Sequence, residues 1–175
     1  ILDYDTPIEW INTEGMECNE EFVGESFGRI NKEEAALSIS QLTNYINKIG
    51  KDRFLEERID VGLISPYKAQ VQYLRQLIKR DAFFKPYRHL ITINTVDGFQ
   101  GQERDVILIS LVRANEEGQI GFLNDLRRMN VAITRARMKL IILGDASTLT
   151  KHPFYKKLYE YILSLIHISE PTRLL

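Results

Sequence analysis

Val106-Ile107-Leu108-Ile109-Ser110-Leu111-Val112 is apolar at every position except Ser110. A strand with one solvated face would alternate, so this run predicts a strand covered on both faces, as in a parallel sheet packed between helices. Leu140-Ile141-Ile142-Leu143, ended by Gly144-Asp145, reads the same way. Upstream, Asp60-Val61-Gly62-Leu63-Ile64-Ser65 is a short apolar run stopped by Pro66, and His89 to Val96 is a further β-rich stretch. Helices fall between them. Asn31-Lys32-Glu33-Glu34 predicts an N-cap with a glutamate three residues on, and Ala35, Ile39, Leu42, Ile46 and Ile49 follow at steps of four and three until Gly50 ends the pattern. Lys68 to Arg80 predicts a second helix with Val71, Leu74 and Leu77 on one face, and Asn124 to Ala136 a third. Apolar strands alternating with helices mean an α/β fold built on a parallel sheet.

The chain has 175 residues and 20.4 kDa, the size of one domain with a real core. With 44% apolar and 27% charged residues, disorder is excluded, and no apolar run nears the ~18 residues of a membrane span. One cysteine, Cys18, excludes an internal disulfide framework and a multi-cysteine zinc site, which favours a reducing, cytoplasmic setting and no membrane partner. The net charge of -1 hides an asymmetry. Residues 1 to 60 carry 14 acids and six bases, or -8; the remainder carries 17 bases and 10 acids, or +7. Either the basic part meets a polyanion, or the charges are scattered over a solvated surface.

In parallel sheets ligands collect at the carboxyl ends of the strands. Three such exits carry special residues: Ser65-Pro66-Tyr67, Asn94 through Gly101, and Arg113-Ala114-Asn115. Much ordinary chemistry is missing. His89, His152 and His167 have no metal-ligand spacing, no Gly-x-Ser-x-Gly elbow occurs, and Cys18 has no local base. No Gly-x-x-x-x-Gly-Lys-Ser/Thr loop is present, so the chain lacks the phosphate cradle of a parallel-sheet ATPase. Two polar segments remain. In Asp97-Gly98-Phe99-Gln100-Gly101-Gln102-Glu103-Arg104-Asp105, two glycines permit tight turns while Gln100 and Glu103 offer hydrogen-bonding groups. Arg127 through Arg137 carries four arginines in eleven residues; on a continuous helix Leu126, Met129 and Ile133 would share the core face, with Arg128 and Arg135 projecting together on the other. That pair is either a phosphate clamp or an exposed basic face.

Taken in order, Thr95 to Ile107, Val112-Arg113-Ala114-Asn115, Gly121-Phe122-Leu123-Asn124-Asp125 and Arg127 to Arg137 closely resemble superfamily 1 helicases, most of all the group containing the nonsense-mediated decay helicase. Upstream, Ile64-Ser65-Pro66-Tyr67-Lys68-Ala69-Gln70 resembles the same family's strand-Pro-Tyr-x-x-Gln segment; the match covers about residues 58 to 146. The resemblance implies the second of a motor's two RecA-like lobes, a parallel sheet flanked by helices without the phosphate loop, working with ATP and Mg2+ whose metal is held by the first lobe. It implies that Arg135 is the arginine finger reaching the γ-phosphate, and that Glu103 binds the nucleotide near the ribose. Gln100 and Gly101 would support that loop and couple it to a groove for single-stranded DNA or RNA, with Arg128 a further candidate at the nucleotide. Pro66, Thr95 and Arg113, at the strand exits, are the candidates for the strand, and no residue is assigned to a metal. Arg128 and Arg137 match family arginines that serve either phosphate or a structural ion pair.

The family's Gln-Tyr-Arg-Met segment and whole first lobe would precede Ile1, and Ile133 and Gly98 replace the more usual leucine and alanine or serine. Ile1-Leu2-Asp3-Tyr4 lacks an initiator methionine and reads as an extended segment cut from something longer. Leu163 through Arg173 resembles a translated sequencing-library adapter, so residues 1–162 form the expected lobe and 163–175 a non-native tail, the other reading being a natural amphipathic helix. The expected function is the carboxyl-terminal motor lobe of an ATP-dependent helicase or translocase moving 5′ to 3′, inactive alone. The alternative is a non-catalytic nucleic-acid-binding or partner-docking module from a decayed helicase.

Overall fold

The computed structural model describes residues 7–24 and 28–174, with side chains as far as residue 165. The chain runs β1 (Ile8–Asn12), β2 (Glu21–Val23), β3 (Gly28–Ile30), α1 (Lys32–Ile49), α2 (Lys51–Glu56), β4 (Val61–Ile64), α3 (Lys68–Arg80), β5 (Ile91–Asn94), β6 (Arg104–Ser110), α4 (Leu126–Ile133), β7 (Ala136–Gly144), α5 (Ala146–Leu149) and α6 (Pro153–Leu174). Five strands pair in the order β1-β7-β6-β4-β5, every pairing parallel. β2 and β3 form a separate antiparallel pair. The decisive apolar run is the middle strand, and the alternation of its side chains divides two cores. Val106 and Leu108 pack with Ala35, Leu42, Val71 and Leu74 on one face; Ile107 and Ile109 pack with Phe99, Met129, Leu140 and Tyr155 on the other. Each of these four β6 side chains is at most 1% exposed, and burial of that kind contributes about 1.5–3 kcal/mol per side chain.

Two elements differ from the sequence expectation. The arginine-rich helix ends at Ile133 rather than Ala136, because Thr134 turns its amide and hydroxyl back onto the carbonyls of Asn130 and Val131 and Ala136 already pairs with Arg104 in the sheet. Arg135 therefore lies in a turn and does not share a helix face with Arg128. Leu126, expected in the core, is 39% exposed, while Met129 and Ala132 supply the buried face. β5 begins only at Ile91, since the chain from Ala82 to Leu90 coils into a 3-10 segment capped by the Asp81 carboxylate on the Phe83 amide. Ile1-Leu2-Asp3-Tyr4 lies outside the described residues, but the following Ile8–Asn12 is indeed extended and adds an edge strand to β7.

Part of the charge asymmetry is matched within the molecule. Glu20–Arg113 (3.1 Å), Asp60–Arg137 (3.0 Å) and Glu9–Lys139 (2.7 Å) each join the acidic first 60 residues to the basic remainder. Ile162, 1% exposed, is the last buried residue among those described; the backbone of α6 continues to Leu174, and the side chains of His167 and Pro171 lie outside the described residues. Among the described residues no helix is long and apolar enough to cross a membrane.

Candidate functional site

The two polar segments meet, and they span the sheet from one end to the other. Thr95 follows β5, at the carboxyl end of the sheet, and Pro66 follows β4 at the same end. Val96–Phe99 then makes a 3-10 turn, and Gly101 adopts φ 73, a left-handed conformation that reverses the chain into β6 and that a side chain would strain. Glu103 immediately precedes β6 and Arg135 immediately precedes β7, so both sit at the opposite, amino-terminal edge. The Arg104 amide donates to the Arg135 carbonyl at 3.0 Å, which ties the residue after Glu103 to Arg135. The carboxyl-end expectation therefore holds for Pro66 and Thr95 and does not hold for Glu103 and Arg135. α4 packs along the connecting turn, and a cleft of about 240 Å³ between them is lined by Val96, Asp97, Gln100, Asp125, Arg128 and Val131.

The arginines are not equivalent. Arg137 donates from Nε to Asp105 and from Nη2 to Asp60, both at 3.0 Å, stapling the starts of β4, β6 and β7; of the two roles left open for it, the structural ion pair is the one observed. Arg137→Ala is expected to lower stability by about 1 kcal/mol in urea unfolding, since both pairs are partly solvated. Arg128 pairs with Asp97 (3.3 Å) and Asp125 (3.5 Å) on an exposed surface where such bonds are weak. Arg135 is half-buried; its Nε donates to the Val131 carbonyl at 3.1 Å and its Nη2 to the Thr134 hydroxyl at 3.3 Å, with no carboxylate partner among the described residues. Gln100, Gly101 and Glu103, in the turn that leads into Arg104, are exposed.

Arg113 requires a correction. It was expected to face a nucleic-acid strand, but the structure turns it inward: it is 5% exposed, with Nε on Glu20 and Nη1 donating to the Tyr67 hydroxyl at 3.2 Å. The cause lies at the end of β6. Val112 takes φ 71, strained for a β-branched residue, and the Arg113 amide closes a three-residue turn on the Leu111 carbonyl. Two side chains from the start of α1 hold that turn. Glu34 accepts from the Val112 amide (2.7 Å) and the Ser110 hydroxyl (2.6 Å), while Asn31 donates to the Val112 carbonyl (2.9 Å) and caps α1 by accepting from the Glu34 amide. Gln70 completes the knot, donating to the Asn31 carbonyl and to Ser110. Glu20 then gathers Arg113, the Ala114 amide and Asn115; burial opposes its ionisation, but these donors outweigh it and hold the carboxyl below its ordinary value. Burial pushes Glu34 up to about 7. Sequence reading placed Glu34 as a helix-capping glutamate and missed its inward role. Its spacing to Ser38 and Leu42, which puts it on the buried face, was the available signal. Glu20 left no signal, because apart from Arg29, nine residues on (3.2 Å), its partners lie more than 90 residues away.

A parallel β1-β7-β6-β4-β5 sheet between helices, with a tethered arginine beside an exposed glutamate at one edge and a cleft at the other, defines a RecA-like helicase lobe. The family model described as AAA domain matches residues 2–147, so the chain belongs to that family. It is 39% identical over 91% of its length to an uncharacterized ATP-dependent helicase of Methanocaldococcus jannaschii, covering 21% of that protein. It is 37% identical over 87% of its length to a putative regulator of nonsense transcripts 1 of Takifugu rubripes, covering 13% of that protein, and 47% identical over 61% of its length to the probable helicase MAGATAMA 3 of Arabidopsis thaliana, again covering 13%. The likeness to superfamily 1 helicases of the nonsense-mediated decay group is thus borne out, and the chain spans about an eighth to a fifth of the length of these relatives.

Proposed function

We propose that this chain is the carboxyl-terminal motor lobe of a longer ATP-dependent helicase or translocase, and that it supplies the arginine finger and one side of a single-strand groove. The observation that carries this is the state of Arg135. Arg113, Arg128 and Arg137 each face a carboxylate, whereas the guanidinium of Arg135 is oriented by its own helix end and keeps its charge uncompensated, as a group meant for a phosphate must. The exposed Glu103 fits the other end of the nucleotide, where a carboxylate accepts from ribose hydroxyls. Gln100 and Gly101 link that edge to the strand-binding end, and Arg128 is a second, exchangeable cation toward the nucleotide. ATP brings the phosphoanhydride bond to be broken. We assign the Mg2+ to the first lobe, as the helicase resemblance implies. Pro66 and Thr95 are assigned to the backbone of a DNA or RNA strand. Arg113 is left out, since its guanidinium is spent on Glu20 and Tyr67.

The lobe is taken as residues 1–162, Ile162 being the last buried residue among those described, with 163–175 outside it, and a cytoplasmic setting agrees with the single free cysteine. ATP closing this lobe on the first, with each gripping the strand, would make a ratchet that runs 5′ to 3′. Strand affinity of the whole motor is expected to fall log-linearly with salt as phosphate contacts release counterions; a titration in which affinity ignores salt would remove the groove from this reading.

A further inference from the structure

Between two clefts stands an aromatic side chain to which no role has been given. Phe122 is 48% exposed, yet its ring is not loose: it stacks on Tyr67 at 5.0 Å between centroids and 29° between planes. Tyr67 is 2% exposed and fixed at its tip, where the hydroxyl donates to the Ile120 carbonyl (3.4 Å) and accepts from Arg113 (3.2 Å) and the Phe122 amide (3.4 Å). Gly121 makes this approach possible. Its φ is 51, and a Cβ there would lie 2.4 Å from Arg113 Nη1 and 2.9 Å from the Tyr67 hydroxyl. The strained turn at Val112, the Glu20–Arg113 pair and the Tyr67 ring therefore form one rigid support beneath an aromatic held at the surface.

The surroundings indicate what such a ring could meet. On one side it lines a cleft of about 360 Å³ with Pro66, Thr95, Lys68 and the Asp97–Arg128 pair; on the other, one of about 600 Å³ with Gln119, Asn124 and Arg29, which is paired with Glu20 at 3.2 Å. An apolar protein segment laid on Phe122 would bring its own apolar surface against cations and amides. An unpaired nucleobase would not: it offers a π-face to the ring, hydrogen-bonding edges to the amides, and a phosphate to the exposed Lys68.

We propose that Phe122 is a stacking platform for an unpaired base of single-stranded nucleic acid passing over the carboxyl ends of β4 and β5. This rests on the strand-binding reading given above. The test is the affinity of the intact motor for oligo(dT) and oligo(rU), and for abasic strands of the same length. Phe122→Ala and Phe122→Leu are expected to weaken binding of the base-bearing strands about 5- to 100-fold, Leu because it keeps apolar bulk without a π-face, while Phe122→Trp retains affinity. The unaltered motor should lose a similar factor on abasic strands, and Phe122→Leu should not discriminate them. If Phe122→Leu binds oligo(dT) and oligo(rU) as tightly as the unaltered motor, or if the unaltered motor binds abasic and base-bearing strands alike, the platform is overturned while strand binding survives. If the unaltered motor binds no strand, the strand-binding reading falls and the platform with it.

Discussion

Arg135→Ala in the intact motor is expected to lower strand-stimulated ATP turnover by about 1,000-fold or more while changing ATP affinity only a few-fold. The asymmetry follows from when the arginine is needed. Charge accumulates on the equatorial oxygens of the transferred phosphoryl group only as the reaction proceeds, and a cation placed there acts on the barrier more than on the bound state, with arginine fingers contributing about 10³ to 10⁵ in rate. The side chain is poised for this by two local bonds, to the Val131 carbonyl and the Thr134 hydroxyl, and its removal breaks no ion pair among the described residues. Stability should therefore stay within about 1 kcal/mol, so that lost turnover reports on chemistry. Arg135→Lys should recover only part of the rate, because an ammonium keeps the charge without the planar fork. Arg137→Ala is the matched control, removing a neighbouring guanidinium that serves Asp60 and Asp105. Phosphate-release kinetics beside equilibrium nucleotide titration decide the matter: turnover within about 10-fold of the unaltered motor would end the assignment of Arg135 as the finger.

The second large effect concerns Glu34. Replacing it with alanine strands the Val112 amide and the Ser110 hydroxyl as buried donors, opens a cavity and releases a strained turn, so Glu34→Ala should cost about 3 kcal/mol or more in urea unfolding. Glu34→Gln isolates the charge. Burial raises the folded carboxyl from its ordinary 4.5 to about 7, so the folded state holds the proton more tightly than the unfolded one. Its contribution is complete below 4.5 and is lost as pH rises through about 7. Over that window the unaltered chain should lose stability relative to Glu34→Gln by about 3 kcal/mol. Glu20, held below its ordinary value, works in the opposite direction and at lower pH: its contribution is present above the ordinary value and is lost as pH falls. Parallel pH dependence in the two proteins from 4.5 to 7 would mean that Glu34 is ionised in the fold.

The strands, α1 and α3 were legible because their signals are local. A fully apolar run can satisfy its backbone and bury its side chains only inside a covered parallel sheet, and Asn31 and Gly50 bracket α1 through bonds made within one turn of chain. Order and spacing along the chain likewise carried the helicase resemblance. The extent of the arginine helix was not legible, since β pairing competes for Ala136 and local spacing does not register that competition.

What the sequence determined by itself was the α/β class, the helicase kinship and the short set of polar residues worth examining, because those depend on residue type and on neighbours close in the chain. What only the tertiary structure decided was how those residues are used. Arg113 is withdrawn by Glu20 from 93 positions away, Arg137 is spent on Asp60 from 77 positions away, and Phe122 is raised on Tyr67 from 55 positions away. A well-placed carboxylate withdraws an arginine from phosphate, and for Arg113 and Arg137 those carboxylates are distant in sequence.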